Sequence, residues 1–314
     1  MKTIFKKGCY IKLLVLVMGW INFHPLRAQQ EPHYTQYMFN TLAVNPAYAG
    51  SKDAVSLTGL YRLQWVGIHG APATQTFSVH GPYYRYHMGW GVHVINDALG
   101  PVHQTMVFGD YSYRLEMSNG SRLQLGLSAG FEYFQLNIED EKRLDEIDPY
   151  VFDVSGKFLP NVGVGLYYFN EKGYIGLSVP KIITLKLQNK NVEAGKINRH
   201  WFLMGGYVFD LDYYGDTKFK PSFMIKAVHG APLSIDVSGI FYFYKRFGAG
   251  LAYRVGDSFS GILQLYLTPN FHLGYSYDYT LTPLRHYNNG SHEIYLTYDF
   301  PLKIPRTIHS PRFF

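Results

Sequence analysis

Apolar and polar residues alternate along most of the chain, and the alternation is strict enough to assign faces. From Ser121 to Phe134, Leu123, Leu125, Leu127, Ala129, Phe131 and Tyr133 fall on one side and Arg122, Gln124, Gly126, Ser128, Gly130 and Glu132 on the other. Successive side chains of a strand point to opposite faces, so this pattern predicts a strand with one apolar and one wet side. Phe271–Tyr279 repeats it, as does Phe247–Val255. His87–Ile95 sets Met88, Trp90, Val92 and Val94 against His87, Gly89, Gly91 and His93, and Asn161–Phe169 puts Val162, Val164, Leu166 and Tyr168 on one face. About 14 such strands are predicted, beginning near Asp53, Ala73, His87, Gln104, Ser121, Pro160, Gly173, Trp201, Lys218, Leu233, Phe247, Phe259, Phe271 and His292.

A soluble sandwich has the same period. Two features favour an all-β, transmembrane antiparallel β-barrel. The polar face is rich in glycine and carries arginine and acid, as a crowded, wet lumen would. The stretches Asp53–Val66 and Gln104–Met117 are long enough to cross a membrane at a tilt. With both termini in the periplasm, the even-numbered connections are the short periplasmic turns (PYYRY, SNG, NEK, YYGDT, YKR, PN), while the longest, 138–159, 180–200 and 280–291, are all odd-numbered and extracellular. The expected contact is outer-membrane lipid. Arg62, Arg114, Arg122 and Arg254 lie mid-strand. A charge facing lipid is costly, so they are expected in the lumen, paired with acids such as Asp110, Glu116, Glu132 or Asp278. Such a network holds a wall together or selects a solute.

The N-terminus changes the charge picture. Lys2, Lys6, Lys7 and Lys12 precede a short apolar run, Leu13–Ile21, and Leu26-Arg27-Ala28 ends in a small residue. This predicts a signal peptide, 1–28, cleaved between Ala28 and Gln29. The whole chain carries 29 Lys+Arg against 23 Asp+Glu, a net of +6. Five of those bases and no acid fall in 1–28, which leaves 24 against 23. The basic excess is mostly export signal and gives no reason to expect a nucleic-acid partner. The only cysteine, Cys9, leaves with the signal, which excludes disulfides, thiolate metal sites and cysteine catalysis from the mature chain. No apolar run approaches 18 residues, so a helical membrane protein is excluded. The 28 tyrosines suit a membrane–water boundary.

No enzyme site, metal site or cofactor is predicted. The thirteen histidines form no HxxxH or HExxH arrangement, and there is no GxSxG elbow, Walker loop or dinucleotide fingerprint. The acidic run Glu139–Asp148 reads as a solvated extracellular loop, with a calcium or partner-docking loop as the alternative; it lacks EF-hand oxygen spacing. The domains are therefore 1–28 signal, 29–51 N-terminal segment, 52–300 barrel and 301–314 tail. Phe300 closes the last strand better than the terminal Phe314. A polar segment at 29–51 cannot sit in lipid. It is expected in the periplasm or as a plug entering the lumen from the periplasmic side and presenting a docking surface.

Residues 33–51 read HYTQYMFNTLAVNPAYAGS, with Tyr34, Gln36, the core Asn45-Pro46-Ala47, and Ala49-Gly50. This resembles the opening of the PorP/SprF family. The resemblance continues through Tyr61-Arg62-Leu63-Gln64-Trp65, Gln75–Ser78, Asn96-Asp97 with Gly100-Pro101, Gly176–Pro180, Lys220-Pro221-Ser222, and GYSYDYT and SHEIYLTYDF near the C-terminus. It implies an outer-membrane component of the type IX secretion system. It also implies work with a periplasmic ring and a peptidoglycan-anchored partner, and secretion of large sorting-domain proteins such as the adhesins of gliding bacteria. The alternative class is an outer-membrane transporter for hydrophobic or small solutes.

Overall fold

The computed structural model describes residues 31–137, 154–189 and 192–302. The proposed cleavage site Ala28–Gln29, the acidic run 139–148 and the tail beyond 302 lie outside the described residues. The strands are β1 (Ala54–Leu63), β2 (Ala73–Tyr83), β3 (Met88–Leu99), β4 (Val102–Glu116), β5 (Arg122–Leu136), β6 (Val154–Phe169), β7 (Gly173–Val179), β8 (Leu185–Asn189), β9 (Val192–Ile197), β10 (His200–Tyr207), β11 (Phe209–Asp210), β12 (Thr217–Val228), β13 (Ser234–Phe243), β14 (Phe247–Arg254), β15 (Ser258–Tyr266), β16 (Phe271–Thr280) and β17 (Ser291–Pro301). Neighbouring wall strands pair antiparallel, β1 pairs with β17, and β10 pairs with β12, which closes a barrel of 14 strands. Closure leaves no sheet edge in the wall, the condition for strands to cross a bilayer. The β8–β9 hairpin is a separate sheet, and β11 is a short extra strand on β12.

The alternation sets the wall's two faces as expected. In β5, Gln124, Gly126, Ser128 and Glu132 are buried in the lumen while Leu125, Leu127, Ala129 and Phe131 face outward. In β16, His272, Gly274, Ser276 and Asp278 are buried and Tyr275, Tyr277 and Tyr279 are exposed. The turns on one rim are short. Asn170 builds one by accepting from the N–H groups of Lys172 and Gly173 at 2.9 and 2.8 Å. Tyr244 and Lys245 form another with both residues at positive φ (51° and 55°), the geometry that matches strand twist. By the rule that periplasmic turns are short, this rim faces the periplasm.

Several boundaries differ from the sequence reading. β6 begins at Val154, not near Pro160. β1 ends at Leu63 because Trp65 turns the chain with φ 47°. The YYGDT turn is part of a longer connection, 208–216, in which the Asp212 carboxylate accepts from Asp216 and Thr217 N–H groups. The predicted 180–200 loop contains β8–β9. His87 lies in a turn at φ 54° rather than on the lumen face with His93.

Candidate functional site

The lumen is occupied by the chain's own residues 31–53. They fold as three single 3-10 turns, Tyr37–Phe39, Thr41–Ala43 and Pro46–Tyr48. From Tyr34 to Ser51 every residue except Phe39 is buried. Of the two placements expected for this segment, the structure shows the plug, with most of its side chains facing the wall.

The Asn45-Pro46-Ala47 core shows why those residues stand there. Asn45 is extended (φ −143°, ψ 106°), and its Oδ1 accepts from Ala47 N–H at 3.0 Å, capping the turn that Pro46 starts. Its Nδ2 donates to the Leu166 carbonyl of β6 at 3.0 Å. Ala47 and Ala49 are fully buried against two wall glycines. A Cβ on Gly126 would overlap the Ala47 backbone, and one on Gly89 would overlap the Ala49 carbonyl. Wall side chains then bind the segment's backbone. Ser112 donates to the Ala49 carbonyl at 2.7 Å, Ser178 to the Val44 carbonyl at 2.6 Å, and Arg114 to the Gly50 carbonyl. The Gly50 N–H donates to His80 Nδ1 at 3.1 Å. Gly50 itself sits at φ 66°, where the chain turns into β1.

The other half of the segment meets charge. Glu293 accepts the N–H groups of Thr35 (2.9 Å) and Gln36 (2.7 Å). The Thr35 hydroxyl donates to Asp278 at 2.7 Å. Arg62 ties both acids together, at 2.8 Å to Asp278 and 3.1 Å to Glu293. Arg254 donates to the Tyr34 carbonyl at 3.2 Å and pairs with Asp236 at 2.6 Å. The Tyr34 hydroxyl lies 3.2 Å from Thr76 Oγ1. Lys181, in the connection after β7, joins Glu31 (2.6 Å) to Glu132 (3.0 Å). Burial opposes the Glu31 carboxylate, but Lys181 and His200 beside it outweigh that and hold its pKa below the usual value. Burial, then Lys226 and Arg254, hold the His33 imidazole neutral, with its pKa well below 6.5. Its Nε2 lies 3.3 Å from the Lys226 ammonium.

All four predicted arginines line the lumen or its rim, but most partners differ from those expected. Asp278 does pair with Arg62. Asp110 instead bonds His93 at 2.7 Å, Glu132 holds Lys181, and Glu116 is exposed. Arg114 and Arg122 share Asp53, at 3.9 and 3.6 Å. The acids missed were Glu293, Asp236 and Asp53. The first two carry a readable signal, since alternation puts them on lumen faces. Lys181 follows a strand end and has no such signal. Among the described residues no group of three or more His, Cys, Asp or Glu side chains could hold a metal ion. A depression of about 700 Å³ is lined by Gly239, Phe241, Leu251, Gly261, Leu263 and Tyr275. It lies on the wall's outward, lipid-facing side and is not a passage.

The fold and the filled lumen define an outer-membrane β-barrel closed by its own N-terminal segment. The profile of the family described as type IX secretion system membrane protein PorP/SprF matches residues 26–298, covering segment and barrel together, and the chain belongs to this family. No curated relative matches it. Among solved structures, the CymD monoaromatic hydrocarbon channel is similar at TM-score 0.52 and 9% identity, over 87% of this chain and 94% of that one. Omp33 of Acinetobacter baumannii is similar at TM-score 0.45 and 10% identity, over 81% of this chain and all of that one. These likenesses concern the fold alone.

Proposed function

We propose that this outer-membrane component supports secretion and surface attachment of large sorting-domain proteins, adhesin or gliding-type cargo among them. In this reading it acts through protein–protein contact and not by enzymatic turnover or solute passage. Its partners are the cargo and the peptidoglycan-anchored and ring components on the periplasmic side. The observation that carries the reading is the filled lumen. Residues 34–51 occupy it with backbone groups bound to Glu293, Ser112, Ser178 and His80, which leaves little reason to assign it to a diffusing solute. Residues 1–28, cut after Ala28, serve as export signal, and 29–51, 52–300 and 301–314 form segment, barrel and tail.

Deleting the gene tests this. Loss of a surface protein from the cell, with solute uptake unchanged, is the expected result. A normal set of surface proteins together with lost uptake of a small or hydrophobic solute would replace the proposal with transport. Pull-down of the tagged barrel with its periplasmic partners tests the contact role.

A further inference from the structure

The lumen segment has a direction. At Gly50 and Ala49 it is held by Arg114 and Ser112, near the short-turn end of β4. Asn45 and Val44 come next, bound to Leu166 and Ser178 in the middle of the wall. Thr35 and Tyr34 then meet Glu293, at the long-loop start of β17, and Arg254, the last residue of β14. His33 meets Lys226 near the long-loop end of β12. Glu31 finally meets Lys181, two residues past β7, and lies 3.9 Å from His200, the first residue of β10. The two ends of the segment thus lie at opposite rims, although the path between them dips back: Phe39 packs 6.4 Å from His272 at the short-turn end of β16, with the Lys220 ammonium of β12 5.0 Å from its ring.

We infer that the segment runs from one rim of the lumen to the other, so that Glu31 faces the exterior of the cell, at the rim occupied by the long loops. The start of β1 and the end of β17 sit in the periplasmic half, whereas Glu31 sits at the opposite rim, unlike the expectation that both termini lie in the periplasm. Lys181 is the clasp at this outer mouth, bridging Glu31 of the segment to Glu132 of the wall. A partner outside the cell can thus reach the plug at Glu31, whereas a periplasmic partner meets the short turns. The inference rests on barrel orientation and is independent of the secretion role, so either can fail without the other.

The chain's single cysteine, Cys9, makes the test clean. With Cys9→Ser as background, Pro32→Cys is compared with Tyr213→Cys, whose native side chain is 98% exposed on the opposite rim. A membrane-impermeant maleimide is expected to label Pro32→Cys in intact cells and Tyr213→Cys only after the outer membrane is permeabilised. The reverse pattern overturns the inference. Because Pro32 is partly shielded, a short epitope inserted between Gln30 and Glu31 is scored in parallel, with heat-modifiable gel mobility confirming a folded barrel. Antibody binding to intact cells supports the assignment. Binding that needs permeabilisation overturns it.

Discussion

Thr35 and Gln36 give both backbone N–H groups to one buried carboxylate, Glu293, which is itself neutralised by Arg62. At the other end of the lumen segment, Ala49 and Gly50 are held by a hydroxyl, an imidazole and an arginine donor, while the segment's backbone lies directly against Gly126 and Gly89. The outer half is held by charge, the inner half mainly by shape. A charge clasp fails when a partner is removed, because the remaining ions stay buried. A glycine-floored seat fails when volume is added. The two halves should therefore respond to different substitutions.

The largest effect is expected at the clasp. Glu293→Ala leaves two backbone donors orphaned and Arg62 with Asp278 alone, which costs about 3–5 kcal/mol by analogy with other broken buried pairs. The readout is the urea unfolding midpoint of the barrel in detergent micelles, together with single-channel conductance in planar bilayers. Glu293→Gln keeps an acceptor oxygen for one N–H and should fall between Ala and wild type. If Glu293→Ala unfolds at the wild-type midpoint with no rise in conductance, the clasp does not hold the segment.

Next comes the seat. Gly126→Val places a side chain where the Ala47 backbone lies, and overpacking of this kind costs about 3 kcal/mol. Conductance should rise as the inner half leaves the lumen, while the outer half stays clasped. Gly59→Val is the control: its Cβ would point outward and meet nothing within 4 Å, so stability should change by less than about 0.5 kcal/mol. Equal effects from the two substitutions would mean that lumen volume is not what seats the segment. Smaller again is Asn45→Ala, which removes the bond to Ala47 N–H and the bond to the Leu166 carbonyl, worth about 1–2 kcal/mol together. A full-size conductance increase from that change alone would contradict the shape argument.

The same contrast explains what could be read from the sequence. The wall was legible because a strand repeats every two residues. Leu123 to Glu132 names both faces, and fourteen strands followed from applying that rule. The lumen segment has no period: three separate 3-10 turns bury almost every side chain, polar and apolar alike. Its burial was suggested only by the impossibility of placing polar backbone in lipid, and nothing local gave its direction. Ion-pair partners were hidden for a related reason. Alternation puts Glu293 and Arg62 in the lumen, but their meeting depends on closure between the first and last strands, which sets Arg62 opposite Glu293. Lys181 belongs to no strand, so its bridge from Glu31 to Glu132 depends on where the chain turns after Pro180.

The smallest predicted effect separates the halves by pH. His33 is held neutral in the folded chain, with its pKa well below 6.5, by burial and then by Lys226 and Arg254. A released segment would let it protonate at its ordinary value. A folded pKa depressed below the unfolded one contributes stability that is present above about pH 6.5 and lost as pH falls. Protonation in place would set an imidazolium against the Lys226 ammonium only 3.3 Å away. Glu31 has the same sign but a lower window: its carboxyl is depressed below 4.5, so its contribution is lost only under more acid conditions. Acid should therefore loosen the outer end through His33 as pH falls below about 6.5, and through Glu31 only under conditions more acid than about pH 4.5. The slope cannot exceed about 1.4 kcal/mol per pH unit for one histidine. Urea midpoints measured at pH 7.5, 6.5, 5.5 and 4.5 should fall with acid in the native chain and flatten across this range in His33→Gln. An unchanged slope in His33→Gln would move the acid sensitivity elsewhere in the lumen.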